Sequence, residues 1–190
     1  MQLLPIFNTE ITEQISTATY LPTFTNEECD RILSYRTPDP VEGTVAAGKD
    51  KNIRDATIHV ISYNEETKWL YEKMADRIAR ANLHYDFDLA GLYEHLAIME
   101  YKDGGQYTWH LDIGPGVAAH RKLSAIVQLT SPSDYEGGEV VFNAGTERTL
   151  PKDRGMMRVF PAYVLHKVNP VTSGTRYSLV AWVSGQRRFK

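Results

Sequence analysis

In "YTWHLDIGPG", Tyr107 to Gly116, a histidine and a carboxylate stand two residues apart, His110 and Asp112, just ahead of a Gly-Pro turn. Side chains alternate faces along an extended strand, so residues two apart share one face. His110 and Asp112 then point one way, and Trp109 and Leu111 the other. An imidazole and a carboxylate side by side at a strand end can fill two adjacent positions around a metal ion. The turn that follows leaves room beside them. H-x-D alone recurs by chance, and a histidine in such a triplet more often sits in a core or on a surface. A third residue gives the pair weight: His166, in "FPAYVLHKVNPV", near the start of a late β-like run. Two imidazoles and one carboxylate form a facial set with open coordination positions, suited to Fe(II) and oxygen chemistry. No thiolate competes for the role. The single cysteine, Cys29, lies in the helical pattern "NEECDRIL" and reads as a small buried side chain.

Ten residues beyond His166 comes Arg176, in "GTRYSLVAWV". Alternation puts Arg176, Ser178, Val180 and Trp182 on one face of a strand. A buried guanidinium is costly unless it meets an anion. Its planar fork grips a carboxylate through two hydrogen bonds, and Ser178 can add another. A dicarboxylate that chelates the metal at one end and meets Arg176 at the other is 2-oxoglutarate. The plainer reading of Arg176 is a salt bridge at the rim.

These residues need strands to hold them, and the second half of the chain supplies the pattern. From Leu92 onward, eight β-like runs follow one another: "LYEHLAIMEY", "QYTWHLD", "KLSAIVQLT", "GEVVF", "RTL", "GMMRVF", "HKVNPV" and "RYSLVAWVS". Gly, Pro, Asn or Asp punctuates most gaps, which argues a sandwich or barrel rather than a parallel sheet. Two helices come earlier. "TNEECDRILSY" has Thr25 as N-cap and Glu28 three residues on, a capping-box spacing. "NEETKWLYEKMADRIARAN" has Asn64 as its cap and Trp69, Leu70, Met74 and Ile78 as its buried face. Between them "RDATIHVISY" alternates like a strand. The loop from Val41 to Asp55 carries Lys49, Lys51 and Arg54 and reads equally as a substrate lid or a plain surface loop.

At 190 residues the chain is expected to form one domain: a helical N-terminal part over about 1–90, then a β core over about 91–186. The net charge is -3, with no dominant run of either sign, so no nucleic-acid partner is expected; "GQRRFK" at the end reads as a solvated terminus. No leader pattern is seen in "MQLLPIFNTEIT" and no stretch is long enough to span a membrane, so a cytoplasmic protein without a membrane partner is expected. The remaining histidines, His59, His84, His95 and His120, lack partners at ligand spacing and read as structural or solvated. Oligomeric state leaves no signal.

Taken together, these motifs resemble the Fe(II)/2-oxoglutarate-dependent oxygenases of the prolyl 4-hydroxylase type, above all the PKHD-type hydroxylases of bacteria and phages. The resemblance begins at "YLPTFTNEECDRIL" and is dense over "YKDGGQYTWHLD", "RKLSAIVQLTSPSDYEGGEVVF" and "GMMRVFPAYVLHKVNPVTSGTRYSLVAWVSG". It implies a mainly β, α+β fold: a double-stranded β-helix, or jelly-roll, core of roughly eight strands with flanking N-terminal helices. It implies a bacterial or phage origin. It makes His110, Asp112 and His166 the iron ligands and Arg176 the partner of the distal carboxylate of 2-oxoglutarate, with all four catalytic. Ser178, Tyr101 and Trp182 would complete the co-substrate pocket, and Gln128 stands where several animal members carry a tyrosine that helps the arginine. Arg54, Tyr107 and Trp109 are candidates for the substrate side. The chain ends soon after Trp182, so the C-terminal extension common in bacterial members is not expected.

The activity so implied is hydroxylation of a C–H bond, with O2 consumed and 2-oxoglutarate released as succinate and CO2; ascorbate is a candidate reductant. Asp112 fills the position that a chloride would need, which favours hydroxylation over halogenation. A prolyl residue of a protein or peptide is the first choice of substrate. A free amino acid or other small metabolite is the alternative. A non-catalytic β-sandwich that binds metal or peptide would have no need of Arg176, and a structural zinc site would close its fourth position.

Overall fold

A computed structural model describes residues 19–44 and 48–188. The N-terminal stretch read for a leader, residues 45–47 of the Val41–Asp55 loop and the last two residues of "GQRRFK" lie outside the described residues. In chain order the elements are β1 (Thr19–Pro22), α1 (Asn26–Leu33), β2 (Val41–Glu42), β3 (Arg54–Asp55), β4 (Thr57–Ile61) and α2 (Lys68–Tyr85). Then come β5 (Leu89–Gly91), β6 (Leu96–Lys102), β7 (Gln106–His110), a 3-10 turn (Gly116–His120), β8 (Arg121–Gln128) and β9 (Tyr135–Gly137). Last are β10 (Val140–Asn143), β11 (Glu147–Thr149), β12 (Met156–Pro161), β13 (Leu165–Val168) and β14 (Val171–Gly185).

Two antiparallel sheets face each other. The larger runs β1-β12-β8-β14-β6-β4-β2, with β5 and β9 also paired to the long β14; the smaller runs β11-β10-β13-β7-β3. This is a mainly β architecture in keeping with a jelly-roll. Each of the eight β-like runs contains a strand.

The central strands of the larger sheet, β6, β8 and β14, are buried on both faces, and alternation sorts their residues into two cores. Leu96 and Ile98 of β6, Leu123, Ala125 and Val127 of β8, and Leu179, Ala181 and Val183 of β14 pack under the helices. Ala97, Met99 and Tyr101, Ile126, and Val180 face the smaller sheet and join Val140, Phe142, Phe160 and Val168. The even-numbered face of β8 and β14 therefore looks into the space between the sheets. Burying one face under α1 and α2 fixes that register, because a one-residue slip would turn every side chain over.

Helix α1 forms as its capping box dictates: Thr25 Oγ1 accepts from the Glu28 N–H, and the Glu28 carboxylate accepts from the Thr25 N–H at 2.9 Å. Cys29 is fully buried, and burial pushes its thiol up to about 11. Helix α2 buries Leu70, Met74, Ile78, Ala81 and Tyr85, one face at helical spacing. Three expectations need correcting here. Asn64 caps the turn before α2 through the Glu66 and Thr67 N–H groups, and the helix itself begins after Thr67. Trp69 lies on the border of the core, under the Arg31 guanidinium at 4.4 Å. The N-terminal part is also not helical throughout. It gives β1, β2 and β4 to the larger sheet and β3 to the smaller one; β4 is the strand read in "RDATIHVISY", while the two-residue β2 and β3 leave little trace in composition.

Among the described residues, no helix is long and apolar enough to cross a membrane.

Candidate active site

The end of β7 and the start of β13 meet in the smaller sheet, with His110 directly opposite His166. Their ring centroids are 4.1 Å apart. Asp112, two residues past His110, is held by its N–H donating to the Ala162 carbonyl at 3.0 Å. The carboxylate thereby faces both rings: Oδ1 lies 4.0 Å from His110 Nε2, and Oδ2 lies 3.6 Å from His166 Nε2. One ligand atom from each residue lies within 4.8 Å of the others, so the three could hold one metal ion.

The backbone prepares both imidazoles in the same way. His110 Nδ1 lies 2.7 Å from the Thr108 carbonyl and His166 Nδ1 lies 2.9 Å from the Val164 carbonyl. A carbonyl only accepts, so each Nδ1 carries the proton and each Nε2 keeps its lone pair for a metal. Burial, and then the neighbouring His166, push His110 down to about 3. Burial would raise the Asp112 carboxyl. The two imidazoles and a hydrogen bond from Ser124 outweigh it and hold the group below the ordinary carboxylate range. The set therefore offers two Nε2 lone pairs and a carboxylate to a divalent cation.

Packing fixes these rings further. The Tyr107 ring stacks on His110 at 3.4 Å, and Phe160 meets His166 edge-on at 4.9 Å. Ser124, on the even-numbered face of β8, donates to Asp112 Oδ2 at 2.6 Å. Arg121 donates to the Asp112 carbonyl at 2.9 Å, pairs with Glu94, and lies over the Trp182 ring at 4.0 Å. Ser124 was not singled out in the sequence. Its only signal there is a polar residue among apolar neighbours, on the strand face that Ile126 and Gln128 share.

An open cavity runs from these ligands between the sheets. Tyr101, Tyr107, Ser178, Trp182, Arg54 and Arg176 line it. Arg176 is 2% exposed, its Nη1 is buried without a hydrogen-bond partner, and no carboxylate among the described residues pairs with it. A buried unpaired guanidinium is costly, so the cavity is built for an anion. Trp182 Nε1 is likewise buried without a partner. Tyr101 lies opposite Arg176 in the β6–β14 register and is buried, which raises its phenol.

Two residues do not sit where expected. Trp109 is on the other face of β7 and packs under the Lys167 ammonium at 4.6 Å, outside the cavity. Strand alternation requires this once His110 points inward. Gln128 does not line the metal cavity. It faces a second recess behind Arg176, with Tyr135, Gly138 and Val140, and its amide donates to the Tyr135 hydroxyl at 3.1 Å. Arg176 and Ile126 line both spaces.

Residues 96–184 match the sequence profile of the 2OG-Fe(II) oxygenase superfamily. This stretch is a 2OG-Fe(II) oxygenase domain. It contains β6 to β14 up to Ser184, and with them every proposed ligand. A PKHD-type hydroxylase of Gloeothece citriformis is 41% identical over 91 residues, 46% of this chain and 41% of that protein. One of Rippkaea orientalis is 29% identical over 84% of this chain and 74% of its own length. The match thus spans about two fifths of the first of these relatives. Of solved structures, a Trichoplax adhaerens prolyl hydroxylase matches with a TM-score of 0.73 at 17% identity, covering 90% of this chain and 84% of that one. A Pseudomonas putida prolyl-4-hydroxylase matches at 0.69 and 20% identity, covering 90% and 93%. At such identity the structures speak for the fold alone.

The cofactors of an oxygenase domain of this family are Fe(II), 2-oxoglutarate and O2. The residues present fit them: two nitrogen lone pairs and a carboxylate for the metal, and an orphaned buried guanidinium for a carboxylate. As a check on the support around Asp112, Ser124→Ala is expected to weaken Mn(II) binding about tenfold, with Ser124→Thr close to wild type. Calorimetric titration of the metal measures both. Equal affinity in all three proteins would remove Ser124 from the account.

Proposed function

We propose that the chain hydroxylates a prolyl residue of a peptide or protein, coupling this to the conversion of 2-oxoglutarate and O2 into succinate and CO2. The observation that carries the reading is the pairing of a two-histidine, one-carboxylate cluster with an anion-seeking Arg176 in one cavity.

His110, Asp112 and His166 would hold Fe(II). Arg176 and Ser178 would take the far carboxylate of 2-oxoglutarate. Behind Arg176, the Tyr135 hydroxyl, positioned by Gln128, lies in the recess that this carboxylate would approach. Bound Fe(II) supplies the oxidising chemistry, by which one atom of O2 ends in the substrate hydroxyl and the other in succinate. The chain's own part is to orient and to exclude water. Ile126, Val168 and Val180 line the cavity and keep it apolar between its charged ends. Tyr107 and Trp182 give its mouth aromatic walls, suited to a pyrrolidine ring. The Trichoplax adhaerens prolyl hydroxylase was solved with a hypoxia inducible factor peptide fragment, which supports a peptide as the substrate class.

The test is succinate release in air with Fe(II), ascorbate and 2-oxoglutarate, first alone and then with prolyl peptides. Wild type is expected to release succinate, faster with a peptide that fits. His110→Ala is expected to release none. Equal release from both proteins would contradict the reading.

A further inference from the structure

Arg54 is a second cation in the same cavity, and the co-substrate as placed on Arg176 leaves it unused. It lies opposite Tyr107 in the β3–β7 pairing, with its guanidinium 4.7 Å above that ring. Tyr107 in turn stacks on His110, so a continuous stack leads from a metal ligand to the guanidinium. Gly43 makes room for it, since a Cβ there would come within 2.9 Å of Arg54 Nε.

Its partners are weak for a charged group. Nη1 donates to the Thr44 carbonyl at 3.1 Å, Nη2 reaches only the Met99 sulfur at 3.5 Å, and Nε is buried without a partner. Among the described residues the nearby acids are taken: Asp55 faces Lys51 at 3.5 Å and Glu42 faces Lys49 at 2.8 Å. Apart from the two imidazoles, which would be metal ligands, the charged groups lining the cavity are Arg54, Arg176 and Asp112. A divalent metal and the dianion of 2-oxoglutarate cancel each other, and Asp112 cancels one arginine. One positive charge stays unbalanced, and Arg54 is the group without a carboxylate. A cavity with low-dielectric walls attracts the missing anion.

We propose that the substrate presents a carboxylate to Arg54, either as a free amino acid or as an acidic residue beside the hydroxylated one. This rests on the hydroxylase reading and narrows its substrate class. Arg54 is then a specificity residue: its planar fork would fix the substrate carboxylate by two hydrogen bonds.

The experiment loads the protein with Mn(II) and 2-oxoglutarate without oxygen and titrates it by calorimetry with two matched pairs. One is L-proline against L-prolinamide. The other is acetyl-Ala-Pro-Asp-Ala-amide against its Asn counterpart. In at least one pair the carboxylate is expected to bind about tenfold tighter or better than the amide. Which pair shows it separates a free amino acid from a peptide. The ratio is expected to fall within about twofold in Arg54→Gln and to survive in part in Arg54→Lys. A merely structural Arg54 would change both members of a pair alike. Amides binding as well as carboxylates, a ratio that persists in Arg54→Gln, or no binding of either pair would overturn the proposal. Succinate release in air, measured separately, distinguishes the two readings. Succinate without a carboxylate preference sinks this inference alone, and a preference without succinate sinks the hydroxylase reading alone.

Discussion

Asp112→Ala is expected to lower divalent-metal affinity by roughly a hundredfold or more, since it removes the only anionic ligand of the set. The same change is expected to lower the stability of the metal-free protein only modestly, because the Ser124 hydrogen bond and the neighbouring imidazoles only just outweigh the cost of burying the carboxylate. Asp112 is a buried carboxylate beside two imidazoles, and a bound metal would add to the contacts that hold its charge. Thermal unfolding with and without Mn(II) reads both effects. In wild type the metal should raise Tm, because it binds the folded state alone. In Asp112→Ala that rise should vanish while the metal-free Tm drops only slightly. A metal-free Tm that collapsed would make Asp112 a structural residue, and a rise that survived would place the metal elsewhere.

Arg176→Ala is expected to raise the Kd for 2-oxoglutarate by about 30-fold to a thousandfold, the cost of truncating one partner of a buried charge pair. Metal affinity should change by less than about threefold, because Arg176 approaches the ligands only through the cavity between them. Arg176→Lys should fall between, as an ammonium keeps the charge and loses the two-pronged grip. The selectivity is the point. Loss of metal and 2-oxoglutarate binding together would indicate a disturbed sheet, and loss of neither would leave the orphaned Nη1 without a purpose. A disturbed sheet is a real alternative, because Arg176 packs against Gly138: a Cβ at Gly138 would sit 2.9 Å from Arg176 Cδ.

His110, Asp112, His166 and Arg176 were legible because each is a costly residue type in a strand context, and alternation alone tells which face it takes. The eight runs after Leu92 were legible because turn residues separate them. Alternation also contained the error over Trp109: the reading that points His110 inward points Trp109 outward, and Lys167 covers it there. Ser124 was hidden because β8 is buried on both faces, so its sequence shows no polar and apolar alternation to give a lone serine meaning. Gln128 was misplaced for a different reason. It is on the inward face, but Arg176 stands between it and the metal cavity, and its amide turns to Tyr135. Pairing across the chain is the part that composition does not carry. Nothing in "IRDAT" announces that Arg54 will lie opposite Tyr107, or that two residues there suffice to close the edge of a sheet.

The central claim is that one cavity holds Fe(II) on His110, Asp112 and His166 and 2-oxoglutarate between that ion and Arg176. The most direct measurement is an anaerobic titration of 2-oxoglutarate into Fe(II)-loaded protein, followed by visible absorbance. A band that appears on addition and saturates at one 2-oxoglutarate per chain is the result this account predicts, with no such band in Asp112→Ala. Fe(II)-loaded wild-type protein that shows no band and no 2-oxoglutarate binding would contradict it.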